Sequence, residues 1–292
     1  MSVKHEVNSA PEAESSAKVA NNVKDIMKQL ILALYAALIL GPFMLVVMTS
    51  LKTTQELYQN PLGLPSTFHF ENYAKILMEG KMPFYFKNSF IVTIISVTLI
   101  IFFASLASYA ITRLDGWKSK LMYGLFTIGM MIPTQVNMIP LYLLVVKLGL
   151  NNSILGLIII YIAFAMPFAT FIMVGFMRGI PKSLIEASKI DGANEWQIYS
   201  RVVLPLSLPS VATVAIFNFV WVWNDLLFPL LFVRTDSVKT LPLAMLRFQG
   251  EYMFDFPMIF VGVVLASIPM IVTYVLLQRW FIQGLTAGSV KG

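Results

Sequence analysis

The chain has 292 residues, of which 58% are hydrophobic and 12% are charged, and its formal net charge is +6. Soluble domains carry about 25% charged residues, so this composition is typical of a membrane protein. The absence of cysteine excludes disulfides, thiolate nucleophiles and cysteine-ligated metal sites. The basic residues lie between apolar blocks rather than in one patch, which argues against a nucleic-acid surface and instead bears on membrane orientation.

The first apolar block follows a polar N-terminal stretch. Residues 1–26 are rich in Ser, Ala and Glu and have no periodic apolar face, so they are predicted to form a disordered cytoplasmic tail. They also lack the short apolar core that a cleavable signal peptide requires. The apolar block at residues 27–51 is therefore expected to remain in the membrane as the first transmembrane helix.

Five further apolar blocks predict an all-α integral membrane protein with six transmembrane helices. Each block reaches the ~20 residues needed to cross ~30 Å of hydrocarbon, and a chain inside lipid must be helical to satisfy its backbone. We expect an extracytoplasmic loop over residues 52–87, followed by a core domain over residues 88–278. The helices predicted within this core are 88–112, 121–146, 154–177, 206–228 and 257–278.

The distribution of Lys and Arg predicts the orientation. With both termini inside, 13 of these residues lie in cytoplasmic segments and 8 lie outside, which follows the positive-inside rule. We therefore expect a multi-pass protein of the cell membrane with both termini in the cytoplasm. This orientation places a loop at residues 178–205 and a C-terminal tail at residues 279–292 on the cytoplasmic side.

The loop at residues 178–205 is predicted to form two short amphipathic helices. Pro181 suits the first turn of a helix, and Gly192 suits a left-handed stop. Asn194 and Gln197 have the spacing of a capping box at the start of a second helix. The alternative is an interfacial loop lying on the membrane, with Trp196 and its neighbouring tyrosine at headgroup level.

The same loop resembles the EAA signature of ABC importer permeases. The pattern is Glu186-Ala187-Ser188, three residues, Gly192, nine residues, Val202, one residue, and Leu204-Pro205; Ser188 replaces an alanine and Val202 an isoleucine of the usual form. The resemblance implies a type I ABC importer permease fold and a loop that docks in a cleft on a cytoplasmic ATPase. The residues it implies for ATPase coupling are Glu186, Ala187, Ser188, Asp191, Gly192, Val202, Leu204 and Pro205.

Further stretches resemble the maltose-type sugar permeases, on the side of their G subunit. They are "SLKTTQEL", "FHFENYAKI", "NSFIVT", "MIPTQVNMIPLY", "WNDLLFPLLFV" and "QGLTAGSVKG". The resemblance implies three partners: a second, non-identical permease, a cytoplasmic ABC ATPase dimer and an extracytoplasmic sugar-binding protein. It also implies that the C-terminal tail contacts the ATPase through Gly284, Leu285, Thr286, Ala287 and Gly288. Without the family, these residues form a flexible tail.

No residue pattern indicates an enzyme. The Walker A pattern is absent, and the two histidines, His5 and His69, lie outside the predicted spans. We therefore expect no catalytic residue, no cofactor and no metal site in this chain. ATP is expected to be hydrolysed on a separate subunit.

A candidate substrate path lies on the fifth predicted span. Asn218, Trp221 and Asp225 are spaced so that they share one helix face, and an aromatic face beside hydrogen-bonding groups suits a sugar. Alternatively, Trp221 and Asp225 are anchors at the outer interface or pair with the partner permease. Pro133 and Pro140 predict a kink in the third span, where a gate hinge or a static kink would fit.

The function predicted from these patterns is ATP-driven import of a sugar or oligosaccharide. Two alternatives remain open from the residues. One is import of a different solute, such as a glycerol phosphodiester, and the other is a membrane scaffold without a transport path.

Overall fold

The computed structural model describes residues 10–78, 81–251 and 255–289. The first helix, α1, runs from Ala10 to Ser50. Their composition predicted disorder for residues 1–26, but residues 10–26 are helical. Residues 1–9 lie outside the described part. Ala, Glu and Lys have high helix propensity, and adding residues to an existing helix avoids the cost of nucleation.

The predicted extracytoplasmic loop contains two short helices and the start of a span. Helix α2 covers Thr54–Gln59 and α3 covers Glu71–Met78. The second long helix, α4, covers Met82–Arg113 and so begins before the predicted boundary at residue 88. Pro83 lies in its first turn, where its missing N–H costs no hydrogen bond.

The centre of the fold is formed by α4 and α7, which covers Ile154–Met177 and packs along α4. Half of the most apolar stretch of α7 is buried within the subunit, whereas none of the corresponding stretch of α1 is buried. Small side chains line the buried face of α4, and one of them, Ser108, donates its hydroxyl to the Thr170 carbonyl on α7 at 3.3 Å. They are Ser89, Thr93, Ser96, Ala104, Ser105 and Ser108.

The third predicted span is broken. Helix α5 covers Gly116–Met131, a 3₁₀ turn covers Thr134–Asn137, and α6 covers Met138–Lys147. The axes of the two parts differ by 87°. Pro133 lies at the break, so the kink predicted from the prolines is confirmed; a proline removes one helical hydrogen bond and disfavours a helical residue before it.

The fifth predicted span, residues 206–228, differs from a single straight helix at both ends. Helix α11 covers Leu208–Asn224 and is bent by 72° relative to the segment that ends at Leu206. At its other end Asp225 leaves the helical conformation, and α12 begins at Leu227 and ends at Phe232. The Asp225 carboxylate accepts hydrogen bonds from the N–H groups of Leu227 and Phe228, which competes with continuation of α11.

The last span is longer than predicted. After a 3₁₀ turn at Asp236–Val238 and helix α13 at Leu241–Glu251, α14 runs from Phe256 to Ser289. The predicted flexible tail is therefore helical up to Ser289, and residues 290–292 lie outside the described part. Within the described residues, four helices are long and apolar enough to span a membrane, and there are six spans if each bent pair counts as one.

Candidate functional site

The first helix of the loop at residues 178–205, α8, covers Lys182–Ile190 and ends before a glycine. Gly192 has a φ of +80°, and its N–H donates to the carbonyl of Lys189 at 3.0 Å. The N–H of Ala193 donates to the Ser188 carbonyl at 3.0 Å. This pattern satisfies the last carbonyls of α8, so the left-handed stop predicted at Gly192 is confirmed.

The second helix begins with the predicted capping box. The N–H of Gln197 donates to Asn194 Oδ1, and the N–H of Asn194 donates to Gln197 Oε1, both at 2.9 Å. Helix α9 covers Glu195–Ile198, a π-helical turn follows at Tyr199–Val203, and α10 covers Leu204–Leu206. These local hydrogen bonds fix the angle between α8 and the segment that enters the fifth span.

One face of α8 is available to a partner. Glu186 and Ala187 are exposed, and Ile190 is 87% exposed, so a carboxylate lies among apolar and small side chains. Ser188 donates its hydroxyl to the Leu184 carbonyl at 2.7 Å, so this polar group is satisfied within α8. An exposed surface with these properties suits contact with another protein.

The remaining predicted coupling residues lie elsewhere in the loop. Asp191 is exposed at the end of α8. Val202 and Leu204 are half-buried, and Pro205 is exposed at the start of the fifth span. The structure therefore places the eight residues on two surfaces, with Val202, Leu204 and Pro205 where the loop joins the membrane domain.

The second half of the loop is part of the protein core. Ile198, Tyr199 and Val203 are buried in one cluster with residues of α4 and α7. The hydroxyl of Tyr199 is hydrogen-bonded to Ser105 Oγ on α4 at 2.7 Å. A loop that only lay on the membrane surface would not have these contacts, so the interfacial alternative does not account for this half.

Glu195 connects the loop to the C-terminal end of α4. Its carboxylate accepts hydrogen bonds from the Tyr109 hydroxyl and from Arg113, and it forms an ion pair with Lys189 at 3.0 Å. The Tyr109 hydrogen bond, with those from Arg113 and Lys189, lowers the pKa of Glu195 to about 2. Sequence analysis missed Glu195, since its partners on α4 are more than 80 residues away along the chain.

Asn218 and Trp221 line a cavity of about 260 Å³ between α7 and α11. Asn218 is 3% exposed, and its side-chain amide donates to the Val214 carbonyl at 2.8 Å. Trp221 is 36% exposed, so part of its indole is open. The other lining residues are Phe164, Ala165, Phe168 and Phe217.

Asp225 does not line this cavity. Its carboxylate accepts a hydrogen bond from the Tyr161 hydroxyl at 2.8 Å and from the N–H groups at the start of α12. The side chain therefore joins α11, α12 and α7. The ring of Tyr161 also contacts Trp221, with ring centroids 5.6 Å apart, so Asp225 and Trp221 share one neighbour although α11 ends one residue before Asp225. A place for Asp225 on the substrate path remains a prediction.

The two phenylalanines that α7 contributes to the cavity were not predicted. Phe164 and Phe168 lie four residues apart and so share one helix face, but an apolar spacing of this kind also describes any buried span. Whether this face lines a cavity or is simply buried depends on the packing of α11. There, Phe217 contacts Phe168 with ring centroids 5.6 Å apart.

The predicted C-terminal contact lies at the end of α14. Gly284, Leu285, Thr286, Ala287 and Gly288 belong to the helical backbone that ends at Ser289. Their side-chain contacts lie outside the described part of the chain. The proposed contact between this segment and an ATPase therefore remains a prediction.

Comparison with known proteins identifies relatives over most of the chain. Residues 96–287 match the family described as "Binding-protein-dependent transport system inner membrane component". The chain is 39% identical over 252 residues to a putative ABC transporter permease protein, ORF2, of Caldicellulosiruptor sp., covering 86% of this chain and 91% of that protein. It is 34% identical over 278 residues to the multiple sugar-binding transport system permease protein MsmG of Streptococcus mutans, covering 94% and 100%.

A solved structure has the same fold. A chain of a bacterial ABC transporter involved in the import of the acidic polysaccharide alginate superposes with a TM-score of 0.78 at 22% sequence identity. The match covers 90% of this chain and 98% of that chain. The fold class predicted from the sequence is therefore confirmed.

Proposed function

Because the chain belongs to the family of binding-protein-dependent transport system inner membrane components, we propose that it is a permease subunit of an ATP-driven importer for a sugar or oligosaccharide. The cavity between α7 and α11 is the observation that carries the proposed substrate class. The name of the similar Streptococcus mutans protein, a permease of a multiple sugar-binding transport system, supports the same class.

The walls of the cavity suit a sugar. The aromatic rings of Phe164, Phe168, Phe217 and Trp221 offer apolar faces on which the C–H groups of a sugar ring can stack. Asn218 donates one hydrogen bond to its own helix, which leaves its amide oxygen to accept a hydrogen bond from a sugar hydroxyl. Among the described residues that line the cavity, none is acidic or basic, so it favours a neutral solute over a charged one.

Transport requires partners that carry out the other steps. The chain has no Walker A pattern, so a cytoplasmic ATPase dimer supplies the energy. A second, non-identical permease completes the path, and an extracytoplasmic binding protein delivers the sugar. Both termini lie in the cytoplasm in this proposal, which is supported by the larger number of basic residues in the segments on that side.

Coupling runs through the cytoplasmic loop. The exposed face of α8, with Glu186 as its charged group, docks on the ATPase, and the segment Gly284–Gly288 makes a second contact with it. The buried side chain of Tyr199 and the ion pair of Glu195 join the loop to α4. A displacement of α8 is thereby passed to α4, which packs along α7, one of the two helices that enclose the cavity.

One experiment tests the assembly, and a second tests the orientation in the membrane. Purification of the tagged chain from its own cells is expected to bring down an ATPase and a second permease; isolation of the chain alone would contradict the proposed assembly. Tags at residues 1 and 292 are expected to be protected from protease added outside the cell. Cleavage of either tag would contradict the orientation.

A further inference from the structure

The segment between α1 and α3 exposes apolar side chains on the outer side of the protein. Five of them form what we call the outer patch, and each is between 60% and 77% exposed. An extramembrane loop seldom exposes so many large apolar groups without a partner. The residues of the outer patch are Tyr58, Leu62, Leu64, Phe68 and Phe70.

Hydrogen bonds hold part of the patch at the end of a span. The N–H of His69 donates to the Leu51 carbonyl at 3.0 Å, directly after the last residue of α1. The side chain of Asn72 donates to the carbonyls of Ser50 and Lys52, both at 3.0 Å. Because Phe68 and Phe70 flank His69, they lie at the level where α1 leaves the bilayer.

Lys52 holds the other part of the patch at the same level. Its side chain is 1% exposed, and its ammonium group donates to the carbonyls of Asn60 at 2.7 Å and Pro61 at 3.4 Å. These contacts tie the turn that carries Leu62 and Leu64 to the end of α1. The charge is turned inward, and the apolar side chains are left on the outside.

The segment lies at the periphery of the subunit, away from the candidate cavity. Thr54 donates its hydroxyl to Asp255 at 2.9 Å, and the ring of Tyr58 contacts that of Phe256 at the start of α14. Within the subunit, 17% of the most apolar stretch of α14 is buried and 0% of the corresponding stretch of α1. The value for α7 is 50%. The patch thus adjoins the ends of two helices whose apolar faces are largely exposed on this subunit.

From this position we propose that the outer patch inserts into the interfacial layer of the outer leaflet and anchors the outer ends of α1 and α14 to lipid. Aromatic side chains favour the interface between hydrocarbon and headgroups. Three of the five residues of the patch are aromatic. The inference requires only the membrane location of the chain and is independent of the transported solute.

Spin labels on single cysteines test the proposal, because the chain has no cysteine of its own. Phe68→Cys and Leu64→Cys are labelled in the assembled transporter in lipid nanodiscs, and collision rates with oxygen and with a water-soluble nickel complex are measured. Leu38→Cys on α1, where the side chain is 72% exposed, provides the lipid reference. Ser237→Cys, which is exposed in another outer loop, provides the aqueous reference.

The expected ratio of oxygen to nickel collisions at residues 64 and 68 is severalfold higher than at residue 237 and approaches that at residue 38. A ratio equal to that at residue 237 would place the patch in water and overturn the proposal. Protection from both reagents would mean that a protein subunit covers the patch, which would also overturn it. If a labelled variant fails to insert, Leu62→Cys gives the same readout. No substrate is used, so failure here is distinguishable from failure of the transport proposal.

Discussion

Arg113 and Glu195 form an ion pair across 82 residues of sequence, with Arg113 Nε 3.3 Å from Glu195 Oε2. Arg113 is the last residue of α4, and Glu195 is the first residue of α9. Lys189, in the last turn of α8, lies 3.0 Å from the other carboxylate oxygen. One side chain thus joins α8 and α9 to the end of a central span.

Removal of this connection is expected to uncouple the loop from the membrane domain. Glu195→Ala should lower uptake severalfold, while the chain still inserts and still binds its ATPase, because the exposed face of α8 is unchanged. Uptake and the amount of co-purified ATPase are the measurements. Asp115→Ala, which removes an exposed carboxylate next to the same end of α4, is the matched control; equal uptake by the two variants would contradict the role of Glu195.

The ion pair also predicts a dependence of stability on pH. The pKa of Glu195 is lowered from 4.5 to about 2 in the folded protein, first by the Tyr109 hydrogen bond and then by Arg113 and Lys189. A lowered pKa contributes stability above pH 4.5 that is lost as the pH falls towards 2. The difference in melting temperature between wild type and Glu195→Gln in detergent should therefore shrink in this range. Because Glu195 is largely exposed, the difference should be small and should decrease with salt. A difference that grew on acidification would contradict the assignment.

Gly192 tests the docking of the loop. A side chain at this position meets the left-handed penalty of roughly 1–2 kcal/mol, but among the described residues, apart from its two chain neighbours, no heavy atom lies within 4 Å of an added Cβ. Gly192→Trp is therefore expected to insert normally, to lose sugar uptake and to retain less ATPase on purification. Glu186→Lys should likewise insert normally and lose uptake, because it reverses the charge on the docking face.

Gly149 provides the matched control. Its φ is +67°, and an added Cβ there also has no atom within 4 Å, so Gly149→Trp carries the same backbone penalty on the other side of the membrane. Gly149→Trp is expected to keep its ATPase. Equal loss of ATPase in both variants would assign the effect to backbone strain and not to docking.

The cavity predicts a selective effect on substrate affinity. Trp221→Ala should raise the KM for uptake about tenfold, which corresponds to about 1.4 kcal/mol of binding, without lowering the amount of protein. Val220→Ala, on an exposed side chain that does not line the cavity, is the control. An unchanged KM would exclude Trp221 from the path.

Trp223 is unsuitable as a control, although it points to a different side of α11. It is 2% exposed, its indole N–H donates to the Ala266 carbonyl at 3.0 Å, and its ring stacks on Phe219. Truncation of a buried tryptophan costs about 3–5 kcal/mol of stability. Loss of uptake in Trp223→Ala would therefore report on folding.

The features that sequence analysis predicted correctly depend on short-range chemistry. The stop at Gly192, the capping box of Asn194 and Gln197, and the kink at Pro133 each involve residues within a few positions of one another. Glu195 and Asp225 could not be assigned in this way. Their partners, Arg113 and Tyr161, are brought to them only by packing of separate helices.

The central claim is that this chain forms part of a path for sugar, and uptake of labelled oligosaccharides tests it most directly. Cells that lack the chain are compared with the same cells carrying either the wild type or Gly192→Trp at equal membrane levels. The account predicts that the wild type restores ATP-dependent uptake of at least one neutral oligosaccharide and that Gly192→Trp does not. Uptake of every sugar tested that is the same with and without the chain would contradict it.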